Sequence, residues 1–444
     1  MTTLNYEYFQ DGQKQLHSVG CSLITNDIRK LSKSLPDDKT IIFGTCSYIG
    51  EAENYSKFLI KFLHKCFPEY KIYAAGCDVN YDKEFYKEFD KAFTNNMLEQ
   101  YESNNIEESS EQVSIKIQDG CSNNCSYCVI NKLRSNPHSL SYNNILNQIP
   151  NKKVEVELYG TEICYYYDKE CDKTIIDLLE SLLQDKPNIV SVSLSSIDPS
   201  SPLIFDLIRF IGNHSKMIPH ITLAVQSGSD KIIKDMNRHY NSERIKEIHK
   251  YAQEFDVSIG WELIVGFPTE SNELFNETRD LFNSLKPINN TIFKYSPREN
   301  TKSFNMKQLD NDLINSRYNV LLNDESEWLE KRLNESSLKD YFINAKHILP
   351  ELTYNRLLRK YDQKKCINII SITSEDLLIN YVRNQYYKLE EPKELHIKYY
   401  NNVEFILKFL KEFLPETKVT LLVDNNDLDE KEFLVDFGCK IRRI

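Results

Sequence analysis

Along residues 1–98, short apolar runs alternate with longer amphipathic stretches. "QLHSVGC", "KTIIFGTC" and "YKIYAAGC" have the pattern of strands, and "EAENYSKFLIKFLHKCF" repeats its apolar residues at helical spacing. This alternation predicts an open α/β unit with parallel strands. Each of these strands ends on a cysteine, Cys21, Cys46 or Cys77. Ligands of such sheets bind beyond the carboxyl ends of the strands, so the three thiols are expected to converge there.

The stretch "LEQYESNNIEESSEQ" is acidic and lacks apolar period, which marks a linker over 99–112. Within a central unit over 113–335, residues 113–300 repeat strand–helix units, with strands expected at "VSIKIQ", "KVEVELYG", "IVSVSLSS", "HITLAVQ", "SIGWELIVG" and "NNTIFKYS". Repeated right-handed units of this kind predict a full or partial barrel. The segment "FNMKQLDNDLINSRYNVLLNDESEWLEKRLNESS" reads as one long helix or a helix pair. Over 336–444 the alternation restarts with "CINIISI", "ELHIKYY", "KVTLLVD" and "CKIRRI", giving a small third α/β domain.

Composition narrows the function classes. Of the 444 residues, 41% are hydrophobic and 27% charged, as in a packed protein rather than a disordered one. With 55 Lys and Arg against 66 Asp and Glu, the net charge of −11 disfavours non-specific binding to nucleic acid or anionic lipid. No run of about 18 apolar residues predicts a membrane span. "MTTLNYEYFQDGQK" has no apolar signal core, so a cytoplasmic location is expected. In a reducing compartment the 11 cysteines would not form a disulfide framework, and a cluster of them points to a metal or catalytic site.

The densest cluster is "GCSNNCSYC", with Cys121, Cys125 and Cys128 spaced Cys-x3-Cys-x2-Cys. Thiolates are soft ligands that suit iron–sulfur clusters. Three ligands on a four-iron cubane leave one iron open to an outside molecule. Zinc is the competing reading, but a structural zinc site asks for four protein ligands, and His138 and Cys164 stand too far along the chain to complete one.

These residues carry a resemblance. "CSNNCSYC" resembles the signature of radical S-adenosylmethionine (AdoMet) enzymes, in which the open iron is chelated by AdoMet. "IKIQDGCSNNCSYCVI", "LSSIDP", "VQSGSDKIIKDMNRHY", "LIVGFPTESNELFNET" and "FKYSPRENT" look like successive blocks of the methylthiotransferases, which convert C–H to C–S–CH3. "GCSLITND", "TCSYIGEAEN" and "AAGCDVN" look like that family's second cluster domain.

The resemblance covers roughly residues 15–335. It implies a 4Fe–4S cluster on Cys121, Cys125 and Cys128, and an auxiliary 4Fe–4S cluster on Cys21, Cys46 and Cys77. AdoMet would be both methyl donor and radical source. A sulfur donor and a flavodoxin- or ferredoxin-like electron donor are implied as well. The implied layout is an N-terminal open parallel-sheet cluster domain (1–98), a central radical-AdoMet (β/α) partial barrel, and the C-terminal α/β domain.

The resemblance also places residues around AdoMet. Tyr127, Gly160, Glu162, Ser195, Gln226, Ser229, Arg238 and Val265 fall where the family contacts the cofactor. Other readings stand beside these. Gly160 and Glu162 also suit an ordinary strand-end turn, and Gln226, Ser227 and Ser229 a polar turn. Arg238 also suits a solvated helix, and Arg134 either a cluster contact or a surface charge. Cys66, Cys164, Cys171, Cys366 and Cys439 read as structural or surface residues.

Members of the family that act on transfer RNA end in a small, basic, all-β RNA-binding domain, whereas here the last hundred residues read as α/β. Ser193 and Thr269 replace an Arg and a Gly usual in the family blocks. Acidity and the missing basic domain put a peptide or protein substrate, gripped by the C-terminal domain, first. Transfer RNA modified at adenosine 37 is the alternative, and a non-catalytic iron–sulfur scaffold is a third reading.

Overall fold

The computed structural model describes residues 6–19, 22–47, 50–98, 112–134 and 136–334, together with strands at 394–398, 418–423 and 440–443. The N-terminal unit is a five-stranded sheet in simple order: β1 (Tyr6–Asp11), β2 (Lys14–Val19), β3 (Thr40–Thr45), β4 (Lys71–Gly76) and β5 (Lys91–Phe93). β2 to β5 run parallel, as the sequence predicts. β1 adds an antiparallel edge closed by a tight turn at Gly12, in a segment whose polar residues gave no strand signal.

β3 is buried along its whole length, which is why "TIIFGT" reads as a continuous apolar run. On one face the helix Ser22–Ser34 inserts Ile24, Ile28 and Leu31, at helical spacing, against Leu16, Ile42 and Ala75. The helix Gly50–Cys66 buries Ala52, Tyr55, Leu59 and Leu63 against the sheet as well. Each fully buried Leu or Ile contributes about 1.5–3 kcal/mol.

The core is an arc of six parallel strands. β6 (Gln112–Asp119), β8 (Val154–Gly160) and β11 (Ile189–Leu194) pair in that order, and the two-residue β7 (His138–Ser139) pairs antiparallel to β6. A small hairpin, β9 (Tyr167–Asp168) with β10 (Lys173–Thr174), follows β8. Parallel bridges Val192–Met217 and Ile197–Leu223 carry the arc on to β12 (His220–Gln226), β13 (Ser258–Val265) and β14 (Thr291–Lys294). Every core strand expected from the pattern is present, within about two residues at each end.

Connecting helices cover the arc. Helix Ile204–Asn213 buries Ile204, Leu207, Ile208 and Ile211, one stripe at a period of 3.6. Helix Ile175–Asp185 starts with a reciprocal capping box between Thr174 and Asp177. The final segment is a single helix, Asn311–Asn334, which lays Ile314, Tyr318, Leu321 and Trp328 on the core and is held by the buried Arg317–Glu270 pair at 2.8 Å.

In the C-terminal region three parallel strands are described: β15 (Glu394–Lys398), β16 (Lys418–Val423) and β17 (Lys440–Arg443). They coincide with three of the four expected strands, while "CINIISI" lies outside the described residues, as does nearly all of the linker. No described helix is long and apolar enough to cross a membrane.

Candidate functional site

The carboxyl ends of β6, β8, β11, β12, β13 and β14 share one rim, and the expected site residues follow directly after them. β6 ends at Asp119. Its carboxylate accepts from the Gly120 amide at 2.7 Å, and Gly120, at φ +74, turns the chain into the cysteine loop. The loop is pinned from several sides. The Ser126 amide donates to the Met236 carbonyl at 2.9 Å, and its hydroxyl to the Asp235 carbonyl at 2.8 Å. Asn237 Nδ2 donates to the Asn124 carbonyl, and the Ser303 amide to the Ser126 carbonyl.

Three donors aim at the sulfurs. The Asn123 amide lies 3.3 Å from Cys121 Sγ, the Ile130 amide 3.5 Å from Cys128 Sγ, and Arg238 Nη1 3.5 Å from Cys125 Sγ. Burial raises the Cys121 thiol and pushes Cys128 up to about 12.

Around the loop stand polar groups that the protein does not satisfy. The Arg238 side chain is 8% exposed, pairs with Asp198 at 3.1 Å and donates to the Ala224 carbonyl, yet its Nε has no partner. Glu162 is 6% exposed with Oε1 unpartnered, and burial followed by the Asp198 charge pushes its carboxyl up to about 8. Gln226 is 2% exposed, sits at φ +58 and also leaves Oε1 unpartnered. A non-glycine residue in that region stores about 1–3 kcal/mol of strain, the kind of cost concentrated at ligand sites. Unsatisfied buried polar atoms are rare, and three beside one cysteine loop mark a place for a polar ligand.

The remaining expected residues have other partners here. Gly160 is required by packing, since a Cβ would stand 2.8 Å from the Gln118 carbonyl oxygen, and its amide donates to Ser195 Oγ at 3.4 Å. Ser227 bonds Thr278, and the fully buried Ser229 donates to Glu277 at 2.5 Å, so both serines fasten the β12 turn to helix Asn272–Leu285. Val265 lies in the core and its carbonyl accepts from the Tyr295 amide. Tyr127 packs with Ile232, Met236, Phe267 and Tyr295. It lines a pocket with Cys128, Phe293, Lys294 and Arg298.

Cys46 and Cys77 lie at the equivalent edge of the N-terminal sheet. The register pairs Thr45 with Gly76, so Cys46 and Cys77 directly follow the ends of neighbouring strands, and both are buried. Gly76 has φ +114, and a Cβ there would come within 2.6 Å of the Thr45 carbonyl oxygen. Cys21 lies outside the described residues, between the end of β2 and the helix beginning at Ser22. Cys164 is buried and Cys171 exposed, while Cys366 and Cys439 are not described.

Comparison with known proteins decides the family. Residues 115–282 match the radical SAM superfamily. The chain is 27% identical over 70% of its length, and 82% of the relative's, to the threonylcarbamoyladenosine tRNA methylthiotransferase MtaB of Rickettsia prowazekii (strain Madrid E). It is 30% identical to the MtaB of Chlamydia pneumoniae over 66% of this chain and 73% of that one. The chain belongs to the radical AdoMet methylthiotransferases. A tRNA-2-methylthio-N(6)-dimethylallyladenosine synthase of Rickettsia canadensis (strain McKiel) is 31% identical over 50% of this chain and 51% of its own.

A radical AdoMet methylthiotransferase uses a 4Fe–4S cluster and AdoMet. The donor set fits the cluster, with three thiols on one short loop, each met by an N–H donor. Among the described residues no His, Cys, Asp or Glu group closes tightly enough for a single metal ion, a demand that a wider four-iron cluster does not make. The unpartnered Glu162, Gln226 and Arg238 atoms fit the amino and carboxylate groups of AdoMet.

Sequence reasoning missed Asp198, Gln118, whose Oε1 accepts from the Glu162 amide at 2.8 Å, and Asn95, whose Nδ2 stands 3.3 Å from Cys77 Sγ. Asp198 stood within "LSSIDP", but the Arg238 partnership that gives it a role joins residues distant in sequence.

Proposed function

We propose that this methylthiotransferase acts on a hypermodified adenosine of transfer RNA. The observation that carries this reading is that relatives matched over 66–70% of the chain are named for threonylcarbamoyladenosine in tRNA. It reverses the order expected from acidity and the missing basic domain. Net charge is a weak guide to one RNA face, because a local basic surface suffices for phosphate contacts.

The reading assigns a 4Fe–4S cluster to Cys121, Cys125 and Cys128, and a second to Cys21, Cys46 and Cys77. When bound, these cofactors would supply a hydrogen-abstracting radical from one AdoMet and, from a second, a methyl group for sulfur held at the N-terminal cluster. The protein's own groups orient and shield. Arg238 directs a cationic N–H at Cys125 Sγ and is itself fixed by Asp198. Glu162 and Gln226 present free acceptors to an ammonium group. Tyr127, Phe293 and Tyr295 give the pocket beside Cys128 an aromatic lining. A sulfur donor, a small reducing protein and an RNA-gripping role for 336–444 complete the proposal. The parallel strands β15–β17 support an α/β C-terminal domain.

The test is mass spectrometry of tRNA nucleosides and candidate peptides from cells with and without the gene. Loss of a 2-methylthio mark on a threonylcarbamoyl-type adenosine is expected. Unchanged nucleosides alongside a peptide that loses a methylthio group would overturn the reading in favour of the peptide substrate.

A further inference from the structure

The helix that leaves the cysteine loop, Ile130–Leu133, ends against the N-terminal unit. Its Leu133 carbonyl accepts from Asn80 Nδ2 at 2.6 Å and from Asn95 Nδ2 at 3.5 Å. The next residue, Arg134, is buried, and its guanidinium divides between the two cysteine sites. Nη1 donates to Asp119 Oδ1 at 2.7 Å, on the strand end that launches the loop, and Nη2 donates to Cys77 Sγ at 3.4 Å. Asn95 Nδ2 meets the same sulfur at 3.3 Å. Cys77 is therefore covered by one neutral donor from its own unit and one cation from the other.

The surrounding charges show why the cation matters. Lys116 lies 3.3 Å from Asp27 of the N-terminal unit and 3.2 Å from Asp119, and Arg134 pairs with Asp119. Two carboxylates and two cations balance across the junction. Negative charge carried by a cluster on Cys77 meets the Arg134 guanidinium, whose Nη2 stands 3.4 Å from that sulfur. The side chain of Arg134 is 4% exposed, so salt screens this interaction little.

We propose that Arg134, a residue of the radical core, is a positioning residue for the N-terminal site that sets the reduction potential of the cluster held there. The inference rests on the reading of Cys21, Cys46 and Cys77 as ligands. Reduction adds one negative charge to a cluster, and a fixed cation with an N–H aimed at a ligand sulfur favours the reduced state. The same side chain ties that sulfur to Asp119, and so to the start of the radical loop. One rigid group thus fixes the spacing of the two sites.

The experiment uses the full chain carrying Cys121→Ala, Cys125→Ala and Cys128→Ala, reconstituted anaerobically with iron and sulfide so that only the N-terminal site is loaded. Its potential is titrated by electron paramagnetic resonance with Arg, Lys or Gln at 134. Arg134→Gln is expected to shift the potential downward, and Arg134→Lys to restore most of the shift. Equal shifts for Lys and Gln would make the effect one of packing rather than charge and would overturn the inference, as would no shift in either. If the Gln variant holds no iron, retention by Lys supports the charge role and loss by both overturns it. A parent protein that binds no iron overturns the cluster reading, and this inference with it.

Discussion

In the core, the three cysteines ride one short loop, and the rest of the protein comes to them. Asp235 and Met236 hold the loop, Arg238 reaches Cys125, and Asp198 fixes Arg238. In the N-terminal unit the arrangement is inverted. Cys46 and Cys77 follow separate strands, brought side by side by the β3–β4 register, and the cation that meets Cys77 comes from the other unit. The loop site is local in sequence and tolerates its surroundings. The sheet site exists only when the sheet is correctly paired and docked. A signature motif can therefore advertise the first, whereas the second shows only as isolated cysteines after strands.

The sharpest way to break this contrast is to remove each triad in turn. Changing Cys121, Cys125 and Cys128 to Ala should remove roughly half of about eight irons and abolish AdoMet cleavage. Changing Cys21, Cys46 and Cys77 to Ala should remove the other half, spare cleavage and stop methylthio transfer. Iron analysis and chromatography of 5′-deoxyadenosine check both. Methylthiolation that survives the second set would show the N-terminal cysteines to be structural.

Next in size is Arg238→Met. It leaves the buried Asp198 carboxylate without its cation and is expected to cost about 3–5 kcal/mol in urea unfolding, with AdoMet affinity lowered as well. Adding Asp198→Asn should recover much of the stability but not the affinity. Recovery of both would reduce Arg238 to a structural partner.

Gly76→Ala probes the register on the other side. The new Cβ meets the Thr45 carbonyl oxygen in a left-handed backbone, so a loss of about 1–3 kcal/mol is expected, confined to amides of the N-terminal sheet in hydrogen exchange. A uniform loss across both units would mean that they unfold as one.

The smallest effect is a slope against pH. Burial holds the His17 ring down to about 3, against the usual 6.5. Between those values the unfolded chain binds a proton that the folded chain refuses, so stability falls as pH drops below 6.5 and rises again with pH. His220 and His249, each pushed down to about 4 by burial, give the core the same sign. His17→Gln should flatten the slope for β2–β4 amides alone, read by hydrogen exchange at pH 5 and 7. An unchanged slope there would place the proton uptake elsewhere.

Much of this was legible in the chain. The alternation of apolar runs predicts β2 to β4 and all six core strands, because parallel strands buried on both faces have to be apolar throughout. β1, β5 and β7 were missed for the converse reason: short or edge strands need little apolar character and are held by their neighbours. Among the site residues, Glu162, Gln226 and Arg238 were legible as candidates, and their unpartnered atoms distinguish them from Ser227 and Ser229, whose hydroxyls are spent on Thr278 and Glu277.

By itself the sequence determined the strand–helix periodicity, the thiol loop and the family, since each is written in residues close along the chain. Tertiary structure alone decided that Arg238 answers to Asp198, that Gly76 lets Cys77 stand beside Cys46, and that Arg134 reaches across to Cys77. Those relations join residues whose only connection is packing, and a hydrogen bond or a buried ion pair has no one-dimensional signature until the fold brings its two ends within about 3 Å.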